Sequence, residues 1–318
     1  MPADLRLVML GTGDFALPTF QRLADTGHSI AALITQPDRP QGRKREIIPS
    51  AIKTAALAHE VPVYQPENIN APEGVELVRS LRPDLLVTAA YGQILSAEVL
   101  ATARLGGTNL HGSILPAYRG AAPVARAIER GETETGVTVI AMSPRVDAGG
   151  MIAFARTPIG EDETAGELED RLAVLGAPLI ARVIEDIAAG RAVVLPQDPA
   201  KATKAPKLSK DDGRIDWSKS ARDIHNLVRA MQPWPTAATT WYPSSGKAPL
   251  RIIVHRASVV EGEGKPGQVI EAARDRLVIA TSSGAIRLVR VQMPGKTSLA
   301  VEEFLRGHAV HIGDQLGA

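Results

Sequence analysis

The chain has 318 residues, 44% of them hydrophobic, with 36 Lys and Arg against 35 Asp and Glu, and no cysteine. This length carries two cores without staples, and the absence of cysteine excludes disulfides, thiolate zinc sites and a cysteine nucleophile. A net charge of +1 gives no whole-molecule attraction to nucleic acid, and no window nears the roughly 18–20 apolar residues of a membrane span, so a cytoplasmic protein is expected.

Short apolar runs alternate with helical patterns from the N-terminus onward. Strands are expected at 5–10, 30–35, 84–89, 108–110 and 137–141, with helices at 15–26, 50–59, 73–81 and 164–189. Such alternation predicts a parallel sheet wrapped by helices. The last helix opens on Thr164 with Glu167 three residues on, which is capping-box spacing. From Gly190 to Lys210 the composition shifts to prolines interleaved with lysines, the mark of an exposed basic linker. Beyond it a helix at 220–231 precedes five short β-branched runs separated by Gly, Pro and Ser, which predicts a small antiparallel barrel.

Gly11-Thr12-Gly13 follows the first strand, where a dinucleotide fold carries its glycine fingerprint. The third position is Ala16, however, and the second strand ends on Ile34-Thr35 without an acid to hold a ribose, so a tight strand-to-helix turn is the preferred reading. Gln36 to Arg45 is polar, punctuated by Pro and Gly, and gathers Arg39, Arg43, Lys44 and Arg45 at the ligand-binding edge of such a sheet. A phosphate-rich partner suits it better than bare solvent. Lys207, Lys210, Arg214 and Lys219 form a second basic group, interrupted by three aspartates.

Of seven histidines only His111 has a polar constellation around it. Asn109 and His111 stand two apart in an extended segment, so an amide donor and a titratable ring point to one side. Asp147 precedes Gly149-Gly150, which allow a tight turn that presents the carboxylate. Asn109 could donate to a carbonyl oxygen becoming an oxyanion, His111 could stabilise that charge or move a proton, and Asp147 could orient the ring. This is acyl transfer without a covalent enzyme intermediate, because Ser113 lacks the G-x-S-x-G elbow of a serine hydrolase. His308 and His311 lack carboxylate or thiol companions, so no metal is expected.

The Asn109–Pro116 run, Arg119-Gly120-Ala121-Ala122-Pro123, the Gly131–Thr138 segment and the Asp147-Ala148-Gly149 turn resemble the formyltransferases that use 10-formyltetrahydrofolate. Within that family, Gln36–Pro40, Gly42-Arg43, Pro49-Ser50, Lys53, Lys207–Lys210, Arg214–Trp217 and Pro233–Pro235 are similar to the members whose acceptor is methionyl initiator tRNA. The resemblance implies a Rossmann-like formyltransferase domain with a mostly parallel sheet over 1–189, a basic linker over 190–207 and an OB-like β-barrel that binds tRNA over 208–318. Asn109, His111 and Asp147 match the catalytic trio. Ser113, Ile114, Leu115 and Pro116, with Tyr91, Gly92, Gln93, Ile94 and Leu95, match segments that hold the folate. Phe15 corresponds to a residue lining the methionyl pocket. Arg43, Lys44 and Arg45 correspond to the loop that grips the acceptor end, and the linker, with Lys207 and Lys210, to contacts with the tRNA body. The donor would be 10-formyltetrahydrofolate, without metal, and the enzyme would act as a monomer. An amino-sugar or sugar-nucleotide N-formyltransferase using the same donor is the alternative, and a non-enzymatic RNA-binding protein leaves the Asn, His and Asp constellation unexplained.

Overall fold

The apolar runs become strands and the polar residues before them become caps. The structure, a computed structural model, describes residues 4–41 and 46–317. Strand β1 (Arg6–Gly11) feeds a 3-10 turn at Asp14–Ala16, helix α1 (Leu17–Ala24) and strand β2 (Ser29–Ile34). A small ribbon of β3 (Pro40–Gln41) and β4 (Glu46–Ile47) leads into α2 (Ala51–Ala58), where Ser50 caps the helix by accepting from the Lys53 amide. There follow β5 (Val63–Tyr64), α3 (Pro72–Ser80), β6 (Leu85–Ala89), α4 (Ala97–Leu100) and β7 (Gly107–His111). Next come α5 (Pro123–Glu129), β8 (Glu134–Ala141), β9 (Met151–Pro158) and α6 (Ala165–Ala188). The Thr164 and Glu167 pair closes the expected box, since the Thr164 amide donates to the Glu167 carboxylate and the Glu167 amide to the Thr164 hydroxyl.

Apart from the β3-β4 ribbon, these strands form one seven-stranded sheet in the order β5-β2-β1-β6-β7-β8-β9. Pairing is parallel as far as β7, and β8 and β9 then turn back antiparallel. Val8, Leu10, Ile34, Val78, Leu86 and Val99 pack together in its core. The turns after β1, β2, β6 and β7 therefore leave the carboxyl ends of neighbouring parallel strands, the edge where an open α/β sheet takes its ligand. Strand β9 escapes the periodicity argument because it is the sheet's half-exposed edge.

The C-terminal chain forms α7 (Ala221–Ala230), β10 (Ala237–Tyr242), β11 (Leu250–Val260), β12 (Val269–Ala273) and β13 (Arg276–Ala280). It ends with β14 (Ala285–Gln292), β15 (Ser298–Ala300), α8 (Val301–Gly307) and β16 (Gln315–Gly317). The sheet order is β12-β13-β14-β11-β10-β16, and a bridge between Gln268 and Gln315 joins its two ends into a barrel. Trp241, Ile252, Val254, Ile279 and Leu288 fill the interior beside Ile224 and Val228 of α7. Asp314 is buried at the seam, where it accepts from Trp241 Nε1 at 2.9 Å, from the Ser244 amide at 2.8 Å and from the His311 amide at 3.0 Å. Burial alone would push its carboxyl up, but these donors together hold it below the usual carboxylate range. A depressed folded-state value adds stability above the unfolded-state value, and that stability is lost as pH falls through the folded one. Asp314→Ala is expected to cost about 2–4 kcal/mol at neutral pH, with the deficit shrinking below about pH 4 in urea titrations.

The chain folds into two compact units, each discontinuous in sequence. One is built from the chain up to Pro123, Glu134–Pro158 and Glu169–Pro206, and the other from Val124–Thr133, Ile159–Leu168 and the chain from Lys207 onward. Polar pairing inside the second unit joins its separate stretches. Arg229 of α7, nearly buried, donates to the carbonyls of Gly160 and Glu163, His225 Nε2 lies 3.0 Å from Asp162, and Arg126 pairs with Asp212 at 2.8 Å. No helix among the described residues is long and apolar enough to cross a membrane.

Candidate active site

Parallel pairing sets Thr88 of β6 opposite Asn109 of β7. The Thr88 hydroxyl donates to Asn109 Oδ1 at 2.7 Å, which occupies the amide oxygen and leaves Nδ2 as the outward donor. Sequence reasoning misses Thr88, whose only signal is its place at the end of a buried strand. Thr88→Val keeps the shape and removes the donor, so the amide is free to turn. The expected result is a fall in kcat of about 3-fold to 10-fold with little change in either KM, measured by formyl transfer.

Two residues on, His111 is buried, with Nε2 2.9 Å from the Tyr118 carbonyl and Nδ1 3.6 Å from Asp147 Oδ2. A carbonyl only accepts, so Nε2 carries a proton, and a proton on Nδ1 would face the carboxylate. Asp147 comes from the connection between β8 and β9, where it takes a left-handed φ of 47° and accepts from the Gly120 amide at 2.9 Å. Glycine is required on both sides of this contact. A Cβ on Gly149 would lie 1.7 Å from the Ala141 carbonyl oxygen, and one on Gly120, at φ 127°, would lie 2.5 Å from that of Ala205. The structure thus brings Asn109, His111 and Asp147 together from a strand and a distant turn.

The turn after β7 is stapled by Thr138 of β8, which donates to the Ser113 carbonyl at 2.7 Å and accepts from the Leu115 amide at 3.1 Å. Ser113 is fully buried and its hydroxyl is spent on the Ala117 carbonyl, while Leu115 is buried and Ile114 and Pro116 are half-buried. On the neighbouring strand end, Gln93 is tied to the backbone of Glu67 and Ile69, and Gly92 has φ 89°. Ile94 is exposed, whereas Tyr91 lies in the core. Burial pushes the Tyr91 hydroxyl up to about 12, and it has no hydrogen-bond partner among the described residues. Thr12 and Gln36 both donate to the Tyr91 carbonyl, which links the turns after β1, β2 and β6, and Phe15 is half-buried in the first of them.

Arg43, Lys44 and Arg45 lie outside the described residues. The start of their loop is anchored by Lys53, whose ammonium donates to Asp38 at 2.5 Å and to Gln65 at 2.7 Å. Lys53 holds the Asp38 carboxyl below its usual range. Lys207 and Lys210 are exposed in the second unit. Among the described residues no three His, Cys, Asp or Glu side chains gather to hold a metal, and His308 instead stacks on Phe304 at 4.5 Å.

The segment before Lys207 is less independent than its composition suggests. Leu195 pairs with Met151, the Ala205 amide donates to the Arg119 carbonyl, the Arg119 amide donates to the Thr203 carbonyl, and the Tyr118 amide donates to the Thr203 hydroxyl. A cavity of about 440 Å³ lies here, lined by Arg119, Gly120, Arg145, Val146, Lys204 and Pro206 among others.

Known proteins resemble this chain in sequence and fold. The formyl transferase family matches residues 5–184, and the formyl transferase C-terminal domain matches residues 207–309. Methionyl-tRNA formyltransferase of Geotalea uraniireducens is 44% identical over 315 residues, covering 99% of both chains. That of Moorella thermoacetica is 44% identical over 98% of this chain and 99% of its own, and that of Pseudomonas syringae pv. tomato 42% over 100% of each. Among solved structures, HypX from Aquifex aeolicus in complex with tetrahydrofolic acid has a TM-score of 0.64 at 18% identity, covering 95% of this chain and 47% of that one. The sugar 3N-formyl transferase WlaRD has a TM-score of 0.67 at 16% identity, covering 93% and 100%, a likeness of fold alone. Matched along nearly its whole length by relatives of one name, the chain belongs to the formyl transferase family, among the methionyl-tRNA formyltransferases.

Proposed function

We propose that the chain moves the formyl group of 10-formyltetrahydrofolate onto the free amine of methionyl initiator tRNA through Asn109, His111 and Asp147. The observation that carries this reading is the convergence of an oriented amide donor, a buried imidazole and a carboxylate at the end of β7, in a chain whose relatives share that activity by name. The acceptor nitrogen forms a bond to the formyl carbon, the bond from that carbon to the folate nitrogen breaks, and one proton passes from the amine to that nitrogen. Negative charge builds on the formyl oxygen meanwhile. Asn109 Nδ2 is the preorganised donor to that oxygen, and His111, backed by Asp147, supplies positive charge or proton transfer beside it.

The folate donor is a substrate here, not a resident cofactor, and the residues present fit it. The stapled turns at 91–94 and 113–116 leave Ile94, Ile114 and Pro116 as apolar surface at adjacent strand ends, and the buried Tyr91 hydroxyl has no hydrogen-bond partner among the described residues. Phe15 would line the methionyl pocket. The cavity flanked by Arg119, Arg145 and Lys204 offers counter-charge to the phosphates of an acceptor end. Arg43, Lys44 and Arg45 would grip that end, and Lys207 and Lys210 the tRNA body. A monomeric enzyme of the cytoplasm, divided at 1–189, 190–207 and 208–318, completes the reading.

The test compares methionyl initiator tRNA, methionyl elongator tRNA and free methionine as acceptors, with the parent and with Arg43, Lys44 and Arg45 replaced by Ala, singly and together. Initiator tRNA is expected to be strongly preferred. Each lost phosphate contact should raise KM for tRNA and reduce the salt slope by about one unit. Unchanged kinetics in the triple variant would move the acceptor away from tRNA.

A further inference from the structure

Gln197 lies in the segment expected as a linker, yet its side chain is bonded to the Asp147 turn on one side and to Arg119 on the other. Its Nε2 donates to the Asp147 carbonyl at 2.8 Å and to the Gly149 carbonyl at 2.7 Å. Its Oε1 accepts from Arg119 Nε at 3.0 Å and from the terminal Nη2 at 2.7 Å. Two donors and two lone pairs are thereby satisfied, and only one orientation of the amide does this, because carbonyls cannot donate and a guanidinium cannot accept.

The connections close into a ring. Asp147 accepts from the amide of Gly120, Gly120 follows Arg119, Arg119 donates to Gln197, and Gln197 returns to the backbone of Asp147. On either side of Gln197 the segment is pinned to the same unit, by Leu195 on Met151 and by Ala205 on Arg119. The turn needs such support, since Asp147 holds a left-handed φ of 47° and its carboxylate stands 3.6 Å from His111 Nδ1. The placement of the turn therefore sets how the carboxylate faces the ring.

We propose that Gln197 is a positioning residue for formyl transfer, holding the Asp147 turn so that its carboxylate faces His111. This rests on the catalytic assignment of Asp147. Displacement of a catalytic group by 1 Å can cost about 100-fold, so a loss of about 10-fold to 100-fold in kcat is expected when the clamp is removed.

The experiment uses the full-length enzyme with Gln197→Glu, which keeps the acceptor side toward Arg119 and loses both donors, and Gln197→Ala, which opens space for water. Values of kcat and KM for both substrates and the thermal midpoint are measured, alone and in the Asp147→Asn background. The expected result is a kcat loss in each single variant with both KM values within about 2-fold and a midpoint near the parent's, and little further loss when Asp147 is already replaced. Parent-like turnover in both Gln197 variants overturns the proposal, as does a loss that adds in full to that of Asp147→Asn. If Asp147→Asn itself turns over normally, the assignment of Asp147 fails and the proposal falls with it. A normal Gln197→Glu beside an impaired Asp147→Asn removes Gln197 alone.

Discussion

Replacement of Asn109 by Ala is expected to lower kcat by about 100-fold to 1000-fold, the usual consequence of removing one oxyanion donor. The reason is geometric. Thr88 occupies Oδ1, so in the proposed mechanism Nδ2 is the atom left to donate to the formyl oxygen, and little reorganisation is needed as charge develops. Asn109 is half-buried and its backbone pairs with β6 and β8 are independent of the side chain, so the thermal midpoint should move little. Asn109→Asp is the sharper variant, because it keeps the shape and puts a carboxylate where negative charge must form; its loss should exceed that of Ala. Turnover near the parent's in the alanine variant, with both substrates saturating, would take Asn109 out of the chemistry.

His111→Ala is expected to cost about 100-fold to 10,000-fold, the range for a positioned acid or base. Asp147→Asn retains an oxygen for the Gly120 amide and loses only the charge facing Nδ1, so it isolates the electrostatic part of the pair. If Asp147 works through the ring, the double variant should be no slower than His111→Ala alone. Losses that multiply would show two independent roles. Both variants remove polar groups from a mostly buried site, so each rate is to be read beside a melting curve.

Much of the fold is legible in the amino-acid sequence itself. The alternation of apolar runs with helical patterns marks the parallel strands, and Thr164 with Glu167 marks the start of α6, because those signals are local. Asn109 and His111 stand out because polar residues at strand spacing beside an apolar run are rarely packing. Strand β8 is legible over 137–141, but its antiparallel direction is not, because an apolar run carries no sign of orientation, and the edge strand β9 is missed since it needs no continuous apolar face. Thr88, Thr138 and Gln197 are invisible for a different reason. Their roles are set by what lies opposite them across 21 to 78 residues of chain, and an isolated threonine or glutamine carries no periodicity. The composition of 190–207 points to a solvated linker, and its side chains are mostly exposed, but composition says nothing about backbone pairing.

The interrupted second unit has a consequence for how the chain is made. The acidic turn Glu161-Asp162-Glu163 leaves the ribosome some sixty residues before His225 and Arg229, the groups it pairs with. Until α7 is synthesised that turn has no counterpart, and a fragment starting at residue 208 would leave Arg229 buried without its two carbonyl acceptors. The second unit can therefore not be finished from the chain after Pro206 alone. Synthesis delivers the whole of one sheet first, and then a barrel that must reach back for segments made long before it.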